Sequence, residues 1–278
     1  MKLYRVKRGI IIDINNKFYL LEIENWDGFF DDDNLFNKLQ KITLEQEPIK
    51  NGMSIIETEI MAPIQNQEIW ASGVTYFNSK LGRQEESKNS GGGQFYAHVY
   101  EAERPELFFK ATASRTVGSG EEVRIRKDSE WNVPEPELTL AITSSGKIIG
   151  YTIGNDMSSR SIEGENPLYL PQAKTYDGCA SLGPCIYVTE TPLEKDTKIE
   201  MVIYRDRDKV FEGETSLRQM KRSPEELVSF LYRECSFPFG CFLMTGTGIV
   251  PSSEFTLKQE DEIHITINPI GTLKNTVK

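Results

Sequence analysis

WNVPEPELTLAITSSGKIIGYTIGND, residues 131–156, reads as two strands joined by a tight turn. Its arms, 138–143 and 148–153, are apolar, and Ser144-Ser145-Gly146 supplies turn chemistry between them. Pro134 and Pro136 hold the approach to the first arm extended. Side chains two apart on an extended chain share a face, so Glu135 and Glu137 project together. Two like charges on one face repel unless a cation lies between them. A turn centred near Ser145 sets Asp156 roughly opposite Pro134 and Glu135. Three carboxylates then converge at one end of the hairpin. Three oxygen donors with positions left for water or substrate suit Mg²⁺, with Mn²⁺ or Ca²⁺ as alternatives. Spacing alone leaves a metal-free acidic rim open as the competing reading.

Around that hairpin the chain is rich in strand-like runs: FFKAT, VRIRK, CIYVTE, IEMVIYRD, KVFEGE and DEIHITI. They do not alternate with helical patterns, which argues for an α+β, β-rich fold over a doubly wound one. Residues 3–23 alternate about Asn15-Asn16, a pair that tolerates positive φ and predicts a hairpin. A short helix is expected over 34–42, capped by Asp31, Asp32 or Asp33. Another is expected from Ser223 to about Glu234, with Ser223 as cap, Pro224 in first position and Glu226 completing a capping box. Its Leu227, Phe230 and Leu231 form a core-facing stripe. The segment MAPIQNQEIWASGV starts near Pro63 and suggests a boundary. We expect a small N-terminal domain over 1–62 and a catalytic, metal-binding domain over 63–278. The polar stretch 77–106 reads as loop. Gly91-Gly92-Gly93 within it lacks the Lys-Ser/Thr of a phosphate loop and better suits a hinge for a mobile lid.

The chain of 278 residues, with 38% apolar and 27% charged residues, has an ordinary globular composition. A net charge of −10 supplies no basic footprint for nucleic acid or an anionic membrane surface. An anionic small substrate stays compatible, because one bound cation inverts the local field. Cys179, Cys185, Cys235 and Cys241 form no C-x-x-C pair and suggest reduced thiols. The apolar run near the N-terminus stops at Asp13, too short for a signal-peptide core, and no stretch approaches a membrane span. A cytoplasmic location is expected.

Several phrases resemble the fumarylacetoacetate hydrolase family: RPELFFKATASRTVGSGE (104–121), the Glu135/Glu137 pair, GYTIGNDMSSR (150–160), GTGIVP (246–251) and IGTLKNTV (270–277). The likeness runs from about Trp70 to the end. ENPLYLPQAKTYDGCASLGP (165–184) is closer to one branch, the dehydratases of 2-keto-3-deoxy sugar acids. The resemblance implies a mixed β-roll catalytic domain with a small N-terminal domain, assembled as a homodimer or dimer of dimers. It implies Mg²⁺ at Glu135, Glu137 and Asp156, chelating a 2-oxo acid through its carboxylate and 2-oxo oxygen.

Hydrolases of this family carry a catalytic histidine on a motif that matches GVTYFNSKLGR (73–83), and here Ser79 stands in its place. The chain has two histidines, His98 and His264. His264 alternates within EIHITI as a strand residue, and His98 lies in the expected lid. C–C bond hydrolysis of an acylpyruvate, or decarboxylation, is therefore the alternative reading, and dehydration the first. Elimination needs a base for the C3 proton and an acid for the departing C4 hydroxyl. Lys174 and Glu106 match the dehydratase positions that would serve, in either order. Lys110, Thr247 and Ser72 are further candidates for holding the substrate. A non-catalytic protein with a structural metal is the rival from another class.

Overall fold

The computed structural model describes residues 1–86 and 93–278. It opens on β1 (Lys2–Val6), β2 (Gly9–Ile14) and β3 (Lys17–Leu21). Asn15 and Asn16 join β2 to β3 with φ of 52° and 63°, the left-handed pair that a two-residue hairpin requires. Then come α1 (Trp26–Phe30), α2 (Leu35–Glu45) and α3 (Gly52–Glu59). Asn34, not one of the preceding aspartates, is the residue at the start of α2; Asp32 accepts a hydrogen bond from the Asn34 N–H at 2.9 Å. β4 (Glu68–Gly73) leads into α4 (Phe77–Glu86), α5 (Gly93–Glu101) and β5 (Glu106–Thr112). The central hairpin is β6 (Pro136–Ile142) and β7 (Ile148–Asp156), followed by α6 (Arg160–Glu165), α7 (Leu170–Lys174) and β8 (Ala180–Tyr187). β9 (Lys198–Arg205), β10 (Asp208–Ser216), α8 (Pro224–Leu231), β11 (Cys241–Met244), β12 (Glu262–Ile267) and β13 (Gly271–Val277) complete the chain.

The larger sheet runs β3-β2-β1-β8-β7-β6-β11-β4-β5, and the smaller contains β10-β9-β12-β13. Pairing is antiparallel except between β11 and β4 in the larger sheet, apart from short parallel ladders at 116–117 and 122–123. Mixed sheets with helices are the β-rich α+β architecture that the strand pattern predicts. Residues 1–62 are not set apart from the larger sheet: β1 pairs with β8 at Lys2↔Tyr187 and Leu3↔Ile186.

Alternation along β6 gives the larger sheet two different faces. Leu138, Leu140 and Ile142 meet Ile199, Met201, Ile203 and Ile265 of the smaller sheet in one core. Ala141 joins Phe242 and Ile69 beneath Phe30, Leu35 and Leu39 of α1 and α2. Thr139 and Glu137 follow Ala141 on that second face. It is apolar beneath the helices and turns acidic at the start of β6, where α4, α6 and α7 gather.

The stretch 77–106 departs from the loop expectation, since it contains α4 and α5. The Ser79 hydroxyl accepts from the Tyr76 N–H at 3.2 Å and donates to the Tyr76 carbonyl at 2.7 Å, closing the first turn of α4. The buried side of that helix carries Ser79 and Arg83 where an apolar stripe would have announced it. The hinge expected at Gly91-Gly92-Gly93 falls outside the described residues, except that Gly93 begins α5. The Ser223 hydroxyl caps α8 from the Glu226 N–H at 3.1 Å, and that helix ends at Leu231, short of Glu234. All four cysteines are free. Among the described residues, no helix is long and apolar enough to cross a membrane.

Leu140 is fully buried between the two sheets. Leu140→Ala should lower the unfolding free energy by about 2–5 kcal/mol, the range for a leucine truncated in a packed core. Denaturant titration measures it, and an unchanged midpoint would mean that the sheets do not share this core.

Candidate metal centre and active site

The hairpin register sets the centre. Glu137 pairs with Gly154 and Pro136 with Asn155, and one step on the Asp156 N–H donates to the Glu135 carbonyl at 3.0 Å. Asp156 thus comes opposite Glu135, as strand counting predicts. Gly154 makes the close approach possible, because a Cβ there would lie 2.3 Å from the Thr139 hydroxyl oxygen and 2.9 Å from Met244. Glu135, Glu137 and Asp156 are all buried, and an oxygen from each lies within 4.8 Å of the others. This all-oxygen donor set is the kind that holds a hard divalent cation.

Cations ring the acids. Lys174, fully buried at the end of α7, donates from Nζ to Glu135 Oε2 at 2.7 Å, Asp156 Oδ2 at 3.0 Å and Ser158 Oγ at 2.7 Å. Lys110 Nζ lies 2.5 Å from Asp156 Oδ1 and donates to the Met157 carbonyl at 2.9 Å and to the Lys174 carbonyl. Lys110 is the extra residue of a β-bulge, with Phe109 and Ala111 paired on either side of it. A bulge re-aims one side chain without breaking the ladder. Arg160 donates to Glu135 Oε1 at 2.7 Å.

The three acids differ in environment. Burial works to raise the Glu135 carboxyl, but Lys174, Arg160 and Arg83 overcome it and hold that group well below the usual carboxylate range. Burial pushes the Glu137 carboxyl well above its ordinary value, and the charges of Asp156 and Glu135 add to it. Lys174 and the Gly246 N–H, 2.5 Å from Glu137 Oε2, oppose the shift.

Glu106 opens β5 opposite Gly73 at the same end of the sheet, and its Oε2 is buried without a hydrogen-bond partner among the described residues. Lys174 Nζ stands 5.8 Å from the centre of the Phe108 ring, two residues along β5 from Glu106. Lys174, Lys110 and Glu106 are therefore gathered on the triad's side of the sheet. Ser72 is turned away: Gly73 pairs with Glu106 and Ser72 with Leu107, so the Ser72 side chain projects to the opposite face. Its hydroxyl donates to the Glu106 carbonyl at 3.2 Å. Thr247 is buried beside Gly246, and its hydroxyl donates to the Ile249 carbonyl at 3.2 Å. Neither histidine joins the carboxylates in the contacts described. His98 is exposed on α5, and His264 lies on β12 of the smaller sheet, 3.4 Å from Glu262.

Sequence reading passed over Arg160, Ser158, Glu163 and the Gly246 N–H. Arg160 and Ser158 stand in the quoted run GYTIGNDMSSR, but no periodicity distinguishes a buried arginine from a surface one. Arg83 closes the quoted run GVTYFNSKLGR, where only the Ser79 position drew notice.

The model of the fumarylacetoacetate (FAA) hydrolase C-terminal family matches residues 69–278. A probable 2-keto-3-deoxyxylonate dehydratase of Haloferax volcanii is 48% identical over 226 residues, covering 81% of this chain and 76% of the relative. The 2-dehydro-3-deoxy-D-arabinonate dehydratase of Saccharolobus solfataricus is 42% identical over 239 residues, covering 84% and 80%. A solved 2-keto-3-deoxy-D-arabinonate dehydratase, complexed with magnesium and 2,5-dioxopentanoate, superposes with a TM-score of 0.85 at 37% identity, covering 100% of this chain and 99% of that one.

Burial and its two acidic neighbours make the Glu137 carboxyl hold its proton more tightly than an ordinary glutamate does. In the metal-free protein its contribution to stability is present at low pH and is lost as pH rises, because the folded site binds the proton more tightly than the unfolded chain. Mg²⁺ binding should therefore release a proton, and the rise in Tm given by saturating Mg²⁺ should grow with pH. Glu137→Gln should abolish that pH-dependent gain. Thermal melts with and without Mg²⁺ across pH decide it; a pH-independent gain, or a fully metal-loaded Glu137→Gln protein, would contradict the site.

Proposed function

The chain belongs to the fumarylacetoacetate hydrolase family and is an enzyme of it; we propose that it removes water from a 2-keto-3-deoxy sugar acid, a pentonate in the first place, with Mg²⁺ at Glu135, Glu137 and Asp156. The observation that carries this reading is the meeting of Lys174 with the carboxylate triad on the side of the sheet where Glu106 keeps a buried, unpartnered oxygen. The named activities of the two relatives and the magnesium complex of the solved dehydratase support it.

A divalent cation held by Glu135, Glu137 and Asp156 would act as a Lewis acid toward a 2-oxo acid and so would acidify the protons on C3. The remaining work falls to the protein. Lys110, Lys174 and Arg160 offset the charge of the three carboxylates, so a dipositive ion leaves the centre electron-poor. That field favours the negative charge that develops on the 2-oxo oxygen as C3 loses its proton. Lys174 and Glu106 divide the two proton transfers, one taking the C3 proton and the other giving a proton to the C4 hydroxyl as it leaves. Neither position needs a held water. Hydrolysis of a C–C bond does, and the side chain at the family's histidine position is Ser79, whose hydroxyl is committed to the Tyr76 backbone.

A Mg²⁺ assay across 2-keto-3-deoxy acids and acylpyruvates should give turnover of the former only, and cleavage of acylpyruvates alone would overturn the dehydratase reading. Lys174→Ala and Glu106→Ala should each lower kcat by about a hundredfold or more, the range of a general acid or base, with a smaller change in substrate affinity. A raised KM at unchanged kcat would make both residues binding groups and would refute the assigned roles.

A further inference from the structure

Helix α4 presents its Tyr76–Ser79–Arg83 side to the protein, while Phe77 and Leu81 are exposed. Among the described side chains of the helix, the deepest charged group is Arg83. The Arg83 side chain is 5% exposed and pairs with Glu163 of α6, which is 1% exposed. Glu163 also lies 3.9 Å from Arg160 Nε, one turn back on α6. Arg160 in turn donates to Glu135 Oε1 at 2.7 Å, while Lys174 takes the other oxygen. Charges therefore alternate in a buried line from α4 to the triad: Arg83, Glu163, Arg160, Glu135.

A carboxylate between two guanidinium groups sets where both can sit. If Glu163 were neutral, the carboxylate that sits between Arg83 and Arg160 would no longer hold the two guanidinium groups in place. If Arg83 were absent, Glu163 would lose the partner that offsets its pull on Arg160 and would draw Arg160 away from Glu135. Either change lets the Glu135 carboxylate rotate. Groups behind a metal ligand that fix its orientation are worth about ten- to a hundredfold in metal affinity.

We propose that Glu163 is a positioning residue: clamped by Arg83 and Arg160, it fixes the orientation of Glu135 toward a divalent cation and makes the seating of α4 and the metal affinity depend on each other. The inference rests on the metal reading above. Since coupling is reciprocal, the cation should also steady α4.

The test uses Mn²⁺ as the probe, titrated by electron paramagnetic resonance without substrate, on the wild type, Glu163→Gln, Arg83→Met and Arg83→Lys. Long-range electrostatics alone gives opposite signs: losing the Glu163 charge weakens cation binding, and losing the Arg83 charge strengthens it. Positioning weakens it in both, by about tenfold or more, and Arg83→Lys restores most of the loss. In the wild type, Mn²⁺ should slow hydrogen exchange of the α4 amides, and in Arg83→Met it should not. Tighter or unchanged binding by Arg83→Met overturns the proposal, as does a lowered Tm with unchanged Mn²⁺ affinity. Arg83→Met decides alone if Glu163→Gln fails to fold. A wild type that binds no Mn²⁺ would instead remove the metal reading on which this rests.

Discussion

Three carboxylates held within 4.8 Å of one another in a buried corner repel each other with little water to screen them. Much of the surrounding structure answers that repulsion. Lys174 bridges two of the acids, Lys110 closes on Asp156 and Arg160 on Glu135. Among the described residues, Glu137 receives a backbone N–H as its one hydrogen bond, and its carboxyl is the one pushed upward. The asymmetry gives the site its character. Two acids are compensated by side chains, and the third has a carboxyl that binds its proton more tightly than usual.

The scaffold accepts local irregularities to build this corner. Gly73 has Glu106 so close that a Cβ would lie 2.0 Å from its Oε2, so any larger residue there would push the Glu106 carboxylate aside. The next residue, Val74, has φ of 52°, a left-handed conformation that costs a β-branched residue about 1–3 kcal/mol. Its neighbour Thr75 is buried, and the Thr75 hydroxyl donates to the Thr245 carbonyl at 2.6 Å. That bond ties the end of β4 to the segment whose Gly246 N–H holds Glu137. Strained backbone sits where the candidate acid and a candidate metal ligand approach each other.

The hairpin and its three acids were legible because they obey local rules. A period of two fixes the shared face of Glu135 and Glu137, and a short turn fixes the register that brings in Asp156. The Asn15-Asn16 hairpin and the Ser223 cap were legible for the same reason. Helix α4 was hidden because its buried side carries Ser79 and Arg83, so neither propensity nor an apolar stripe reveals it. Arg160 and Glu163 were hidden because their partners lie 25 residues or more away along the chain for Glu135, and across a gap of helices for Arg83. Lys174 and Glu106 came from resemblance; nothing in their spacing predicts that α7 and β5 meet at the triad. Ser72 stands beside Gly73 in sequence, yet the alternation of β4 turns its side chain to the far face.

The proposed dehydration requires that this corner labilise the C3 hydrogens of a 2-oxo acid so that water can leave from C4. Nuclear magnetic resonance of a 2-keto-3-deoxypentonate incubated with the enzyme and Mg²⁺ in D₂O tests it directly. Elimination across C3–C4 leaves an unsaturated 2-oxo acid, which becomes a terminal aldehyde when C5 and its hydroxyl each lose a proton and C3 and C4 each take one from solvent. The product should therefore carry solvent deuterium at C3, with no deuterium or product when Mg²⁺ is chelated. Cleavage into two shorter fragments, or a dehydrated product whose C3 hydrogens never exchange, would contradict it.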